Sequence, residues 1–146
     1  MKLRSAEPKD AESIATILSD WIDETDWMPR IHTREEDRGF GAFLIDKTEV
    51  TVAEDRAIRG FIACREATID ALYVARGARG AGIGSALLEH AKHQAGRLGL
   101  WVFQANTEAL GFYERRGFSE TQRTDGSGND EKLPDIHMVW EGVRDG

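Results

Sequence analysis

An apolar run, Ile69 to Val74, leads into Arg79-Gly80-Ala81-Gly82-Ile83-Gly84-Ser85 and then into Ala86-Leu87-Leu88, which has helical spacing. A strand that turns through glycines into a helix leaves the first backbone N–H groups of the helix without intrahelical partners. They point one way, with the positive end of the helix dipole behind them. Such an end binds phosphate. Gly80, Gly82 and Gly84 lack the Cβ atoms that would hold an anion away, and Arg76 and Arg79 add positive charge. The bland alternative is a tight strand-to-helix connection with glycines kept for packing, and the glycines alone do not separate the two.

Spacing removes two phosphate-binding classes. A dinucleotide fingerprint needs Gly-x-Gly-x-x-Gly, and counting from Gly80 the last position is Ser85; a P-loop needs Gly-Lys-Ser/Thr, which is absent.

The totals set the surroundings. A chain of 146 residues is one domain, 1–146, by the length prior, with room for a core that needs no covalent staple. Cys64 is the single cysteine, so no internal disulfide is expected. The N-terminus Met1-Lys2-Leu3-Arg4-Ser5 lacks the apolar core of a signal peptide, and no apolar run approaches the roughly 20 residues of a membrane span. The expectation is a soluble cytoplasmic protein without a membrane partner. Net charge is −7, with 26 acidic against 19 basic side chains, which disfavours nucleic acid as a partner. Arginines gathered at a helix start in an acidic chain suit one small anion.

Along the chain, Lys2 to Ser5 has the length of an edge strand, and Pro8 and Asp10 open a helix in which Ile14, Ile17, Leu18 and Trp21 share a face. Pro29 then breaks any helix, leaving Trp27 and Met28 in a loop. They are either core or the apolar wall of an acceptor pocket, with His32 at its rim as a solvated or proton-accepting group. Thr33 and Glu36 form a capping-box pair for a second helix, with Phe40, Phe43 and Leu44 as its buried side and its end near Asp46.

From Glu49 the period becomes two. Val50 and Val52 lead to a turn at Glu54-Asp55-Arg56, Ile58 to Arg65 returns, and a reversal at Glu66-Ala67 brings Thr68 to Val74 alongside. A helix from about Ile83 to Leu98 turns Ile83, Leu87, Ala91 and Leu98 inward and ends at Gly99, followed by a strand from Leu100 to Ala105. Asn106 caps a short helix that holds Phe112 and Tyr113 and exits at Gly117. A strand from Phe118, a polar loop from Asp125 to Lys132, a last strand with Ile136, Met138 and Trp140, and a polar tail complete the chain. The predicted class is mixed α/β (α+β): a mainly antiparallel central sheet of six to seven strands flanked by about four helices.

Two blocks carry a resemblance. Arg79-x-x-Gly82-x-Gly84 after a strand ending Leu72-Tyr73-Val74, and Asn106-x-x-Ala109-x-x-Phe112-Tyr113-Glu114-x-x-Gly117-Phe118 downstream, are similar to the two halves of the pattern of the GCN5-related N-acetyltransferases. They span Ile69 to Phe118, about a third of the chain, and the order of elements around them also fits; the chain looks like the small bacterial members. The resemblance implies acetyl-CoA as cosubstrate and two central strands that run parallel and then splay. It implies that the backbone at Leu72-Tyr73-Val74 pairs with the pantetheine arm, that Arg79, Gly80, Ala81, Gly82, Ile83, Gly84 and Ser85 hold the pyrophosphate, and that Asn106 touches the pantetheine portion. Asn106 serves equally as an N-cap, and one side chain can do both. The family often pairs through its C-terminal strands, so a homodimer is among the expectations.

Acyl transfer to an amine needs a neutral amine, a polarised thioester carbonyl and a proton for the departing thiolate. A primary amine with a pKa of about 10 is neutral in only about one molecule in a thousand at pH 7, so a base is useful. Tyr113, at the position the resemblance matches, is the candidate acid for the thiolate; its other reading is a half-buried aromatic packing helix to sheet, which Phe112 beside it can also do. In histone-type relatives a glutamate commonly precedes the glycine turn, and its counterpart here is Thr68; Glu66 and Asp70 flank it with the same strand parity as candidate bases. The four histidines, 32, 90, 93 and 137, form no ligand cluster with Cys64, and no metal is expected. The acceptor stays open among a free metabolite, an antibiotic-like amine, and a protein N-terminus or lysine. A binding module that senses acyl-CoA without turnover is the competing function.

Overall fold

The computed structural model describes residues 1–142, and the polar tail expected after the last strand lies outside the described residues from 143 onward. Seven strands and four α-helices follow one another as β1 (Lys2–Ser5), α1 (Ala11–Glu24), α2 (Arg34–Lys47), β2 (Glu49–Asp55), β3 (Ala57–Arg65), β4 (Thr68–Val74), α3 (Ile83–Gln94), β5 (Arg97–Phe103), α4 (Thr107–Glu114), β6 (Ser119–Thr124) and β7 (Asp135–Glu141). This is the mostly antiparallel, helix-flanked sheet that the sequence predicts. Internal contacts gather the chain into two compact units, Met1–Arg65 with Ile69–Ala91, and Glu66–Thr68 with the chain from Lys92.

In the first unit β1, β2, β3 and β4 lie in chain order, with β1 as an edge paired antiparallel to β2. Leftward-turning residues make the reversals short: Arg56 (φ 65°) between β2 and β3, and Glu66 (φ 52°) after β3. The core packs Ile14 and Ile17 of α1 and Leu44 of α2 against Val50, Val52, Phe61, Ala63 and Ala71. Phe61 is fully buried, and cutting it to Ala would cost about 3–5 kcal/mol.

The sequence-based face of α2 needs correction. Leu44 is buried, but Phe40 and Phe43 are 42% and 54% exposed and stack on each other outside. The buried stripe is Asp37, Gly41 and Leu44, one and two turns apart. Gly41 is there because a Cβ would stand 2.6 Å from the Ala11 carbonyl oxygen of α1, and Asp37 because α1 and the preceding loop supply its partners. The capping box does form: Thr33 Oγ1 accepts from the Glu36 N–H at 3.1 Å and Glu36 returns the bond to the Thr33 N–H at 3.0 Å.

In the second unit β7 lies between β5 and β6, antiparallel to both. Here too a boundary moves. The third helix ends at Gln94 rather than Leu98, and Leu98 and Gly99 belong to β5, where they face Trp140 and Val139. The physical reason is period: Leu98, Leu100 and Val102 are buried alternately, a strand pattern that the helical reading of Leu98 overrode. Gly96 is the break, its carbonyl accepting from the Gly142 N–H at 2.8 Å.

β4 and β5 are parallel, and among the described residues their register is the single pair Thr68↔Gly99, with the Gly99 N–H donating to the Ala67 carbonyl at 2.7 Å.

Candidate active site

The glycine turn sits where its sequence put it, between the end of β4 and the start of α3, with a short 3-10 turn at Arg76–Ala78 between. Gly80 and Gly82 hold φ angles of 84° and 80°, which a side chain would strain. A Cβ built on either meets nothing within 4 Å, so the turn is open on the side where Cβ atoms would stand. Gly82 closes the first helical turn, its carbonyl accepting from the Ala86 N–H at 3.0 Å. The N–H groups of Ile83 and Gly84, which precede that first intrahelical bond, are the donors a helix start offers to an anion. The residues present therefore fit a diphosphate.

The strand feeding the turn has a matching polarity. The Ala75 N–H donates to Arg59 of β3 at 2.7 Å, and the Tyr73 carbonyl lies against Gly60 of β3. Because main-chain groups alternate sides along a strand, those of Leu72 and Val74 point away from β3. The Val74 carbonyl accepts from Arg79 Nε at 3.1 Å. The Tyr73 ring, by contrast, is packed between Trp21 and Phe61, at centroid distances of 5.2 and 5.9 Å.

Electrostatics tie this turn to the end of α1. Arg79 Nη2 stands 2.5 Å from Glu24 Oε1, a close ion pair without hydrogen-bond alignment, and Arg76 Nε stands 3.9 Å from Glu24 Oε2. Glu24, Arg76, Asp20, Asp23 and Arg34 line an open cavity of about 360 Å³. Beyond it Arg30 fastens the loop between α1 and α2. Its guanidinium donates to Asp23 at 2.6 Å, to buried Asp37 at 2.9 Å, to the Ser19 carbonyl at 3.0 Å and to the His32 carbonyl at 2.9 Å. The Arg30 and Arg34 guanidiniums hold the Asp23 carboxyl below its ordinary value. In that loop Trp27 stands edge-on to Trp21 at 5.8 Å, Met28 is half-buried, and His32 is exposed with Nδ1 3.4 Å from Glu36.

Of the two candidate bases, Asp70 gives both carboxylate oxygens to Arg65, at 2.6 and 3.0 Å, while Glu66 is exposed at the turn after β3. The second block forms its helix as expected: Asn106 Oδ1 accepts from the Ala109 N–H at 3.1 Å, which leaves its Nδ2 donors unused by the cap. Tyr113 is buried, edge-on to Phe112 at 5.2 Å and to Phe118 at 5.3 Å. Among the described residues no three His, Cys, Asp or Glu side chains are grouped to hold a metal ion, and no helix is long and apolar enough to cross a membrane.

Sequence reasoning missed the pairing of Glu24 with Arg79, the fastening role of Arg30, and the contact of Thr121 with His137. The first two act across more than ten residues of chain, through contacts no local motif records. His137 carries one signal in the sequence, its place on the last strand between Ile136 and Met138, and the sequence reading weighs it only among four histidines that form no metal-ligand cluster.

An open glycine turn at a helix start, beside a strand whose Leu72 main chain points away from β3, fits a small diphosphate ligand, and comparison with known proteins supplies the class. A profile described as "Acetyltransferase (GNAT) domain" matches residues 46–120. The chain belongs to the GNAT acetyltransferase family, and it is an acyltransferase. It is 28% identical over 142 residues to the peptidyl-lysine N-acetyltransferase YjaB of Salmonella typhimurium, covering 96% of this chain and 98% of that one. The apo-form YjaB of Escherichia coli superposes with a TM-score of 0.80 at 26% identity, over 97% of this chain and 98% of that one. The fold is shared with yncA of Salmonella typhimurium, a structure described with its cofactor acetyl-CoA, at a TM-score of 0.74 and 17% identity over 100% and 96% of the two chains.

Proposed function

We propose that this protein transfers the acetyl group of acetyl-CoA to a primary amine, with a lysine side chain of a protein as the favoured acceptor, by direct transfer within a ternary complex. The observation that carries the reading is the open turn at Gly80 and Gly82 beside the outward-pointing main chain of Leu72 and Val74. The lysine acceptor is supported by the full-length likeness to a protein named peptidyl-lysine N-acetyltransferase. A cytoplasmic setting, expected from the sequence, belongs to the same reading.

Bound acetyl-CoA would supply the activated acetyl thioester. The chain's own residues bind and orient it: main-chain N–H groups from Arg79 to Ser85 on the diphosphate, with the Arg79 guanidinium, and the Leu72 and Val74 main chain as the added-strand partner of the pantetheine arm. Asn106 Nδ2 donates to the same arm while Oδ1 keeps the helix cap. Tyr113 delivers its phenolic proton to the departing sulfur, and its burial among Phe112 and Phe118 excludes water from that exchange. Trp27, Met28 and His32, on the loop that Arg30 fastens, form the acceptor wall.

Free thiol released from acetyl-CoA, measured with a panel of amines and lysine peptides, tests the reading. Amine-dependent release is expected, and Tyr113→Phe should lower turnover about 10²-fold while leaving CoA affinity within twofold. Tight CoA binding without release for any amine would favour the acyl-CoA sensor.

A further inference from the structure

We propose that His137 is the general base that takes the proton from the acceptor ammonium, with Thr121 as its positioning residue; this rests on the acetyltransferase reading above. The carboxylates nearest the place where a base is expected are poorly suited. Asp70 is engaged through both oxygens by Arg65, and Thr68 stands where the strand carboxylate would be.

His137 lies on β7 opposite Trp101 of β5, with ring centroids 4.9 Å apart. Its ring leans along β5 over Gly99, so that a Cβ on Gly99 would stand 3.2 Å from Nε2 and 3.4 Å from Cε1. Gly99 is the β5 residue paired with Thr68. Directly paired residues share a sheet face, so the imidazole occupies the face of Thr68, with only a glycine between the two strands' side chains. The sequence departs from a strand carboxylate at Thr68, and the fold brings an imidazole towards the same position from two strands away.

Hydrogen bonding fixes which nitrogen can act. Thr121 Oγ1 is 2.8 Å from His137 Nδ1 and 3.2 Å from the His137 carbonyl oxygen. A hydroxyl has one proton. Donated to the carbonyl, it leaves Oγ1 to accept from Nδ1–H, and the lone pair is then on Nε2, the nitrogen over Gly99. A base oriented by a third group through its other nitrogen is the arrangement general-base catalysis uses. Trp101, 49% exposed beside it, offers its indole to the methylene stem and ammonium of a lysine.

The charged groups on the strands around the ring are engaged elsewhere. Arg97 of β5 pairs with Glu141 of β7 at 4.0 Å, Glu120 and Arg123 of β6 pair with each other, and Asp135 of β7 accepts from Thr124 and from Asn129. Glu66 stands exposed at the turn before Thr68. In the step itself, Nε2 takes one proton from R–NH3+ and passes it to solvent. The amine nitrogen then forms the C–N bond to the acetyl carbon as the C–S bond breaks. The second proton lost by nitrogen balances the one Tyr113 gives to sulfur.

The test uses the full chain, acetyl-CoA and a lysine-containing peptide, with thiol release followed from pH 5.5 to 9. His137→Gln should lower kcat/KM for the peptide about 10²-fold at pH 7 and flatten the acid-side fall of the profile, with the Kd for CoA within twofold of the original. Added imidazole should restore part of the rate to His137→Ala, and Thr121→Val should displace the acid-side limb where Thr121→Ser does not. A His137→Gln enzyme with the original rate and profile, or a His137→Ala enzyme that folds by thermal melt and ignores imidazole, would overturn the assignment alone. An unaltered protein that binds CoA but releases no thiol with any amine would instead overturn the acetyltransferase reading, and this one with it.

Discussion

Glu24 at the end of α1 holds Arg79 at the glycine turn, with Oε1 and Nη2 2.5 Å apart and the Glu24 side chain only 18% exposed. If Arg79 is a ligand for the diphosphate, it must exchange a carboxylate for a phosphate when CoA arrives. The carboxylate therefore competes with the ligand. Glu24→Gln should tighten CoA binding by about threefold to tenfold, since a charge pair on a partly screened arginine is weakened while the donors are kept. Calorimetric titration of the two proteins checks this, and weaker binding by the variant would mean that Glu24 holds Arg79 in place for the ligand rather than against it.

Arg30 is the fastening of the loop that carries Trp27, Met28 and His32. Replacing it with Met removes the charged partner of buried Asp37, leaving the Ser19 hydroxyl, and the donor to the Ser19 and His32 carbonyls. Stability should fall by roughly 3 kcal/mol, as when one half of a buried pair is lost. The KM for the amine should rise more than the Kd for CoA. Urea unfolding together with steady-state kinetics separates the two effects.

Asp10 gives an acid-side signature. It is 4% exposed, and Arg4 donates to its two oxygens at 2.8 and 3.1 Å, joined by the Glu7 N–H at 2.8 Å. The Arg4 hydrogen bonds hold its carboxyl below the ordinary value of 3.8, against the opposing effect of burial. A depressed carboxyl pKa stabilises the folded state above the unfolded value, and that stabilisation is lost as pH falls through the folded one. Asp10→Asn should thus lower the thermal midpoint by roughly 5 °C at pH 7, and the difference should shrink as pH drops below 3.8. A difference that stays constant down to acid would contradict the ion pair as its source.

Cys64 of β3 should be a slow thiol. Burial pushes its pKa up to about 11, helped by the negative charges of Asp70 and Glu49. Because the thiolate is the nucleophile, iodoacetamide should modify it far more slowly than free cysteine at pH 7.5, and the rate should climb steeply above pH 9. Mass spectrometry over time measures both.

Local chemistry was legible in the chain, and long-range pairing was not. The Thr33 and Glu36 box, the Asn106 cap and the β4 limits at Thr68 and Val74 were all readable because each depends on residues within one turn or one strand. Leu98 continues the helical spacing of Leu87 and Ala91 and also opens the alternation with Leu100 and Val102, and pairing with β7 decides for the strand. Phe40 and Phe43 were expected inside because they are large and apolar. The α1–α2 contact instead selects for a missing side chain at Gly41 and for the ion pair of Asp37, neither of which hydrophobicity reports. In the site, the glycine turn announced itself, whereas the Glu24–Arg79 pair and the Thr121–His137 pair join residues 55 and 16 positions apart.

The central claim is that main-chain donors at an open glycine turn hold the diphosphate of CoA. Calorimetric titration of CoA into the unaltered protein and into Gly82→Val tests it most directly. The account predicts one saturable site with micromolar affinity in the first and at least tenfold weaker binding in the second, whose side chain would fill the open turn at a φ that resists it. Equal affinity in the two folded proteins, or no heat in either, would contradict it.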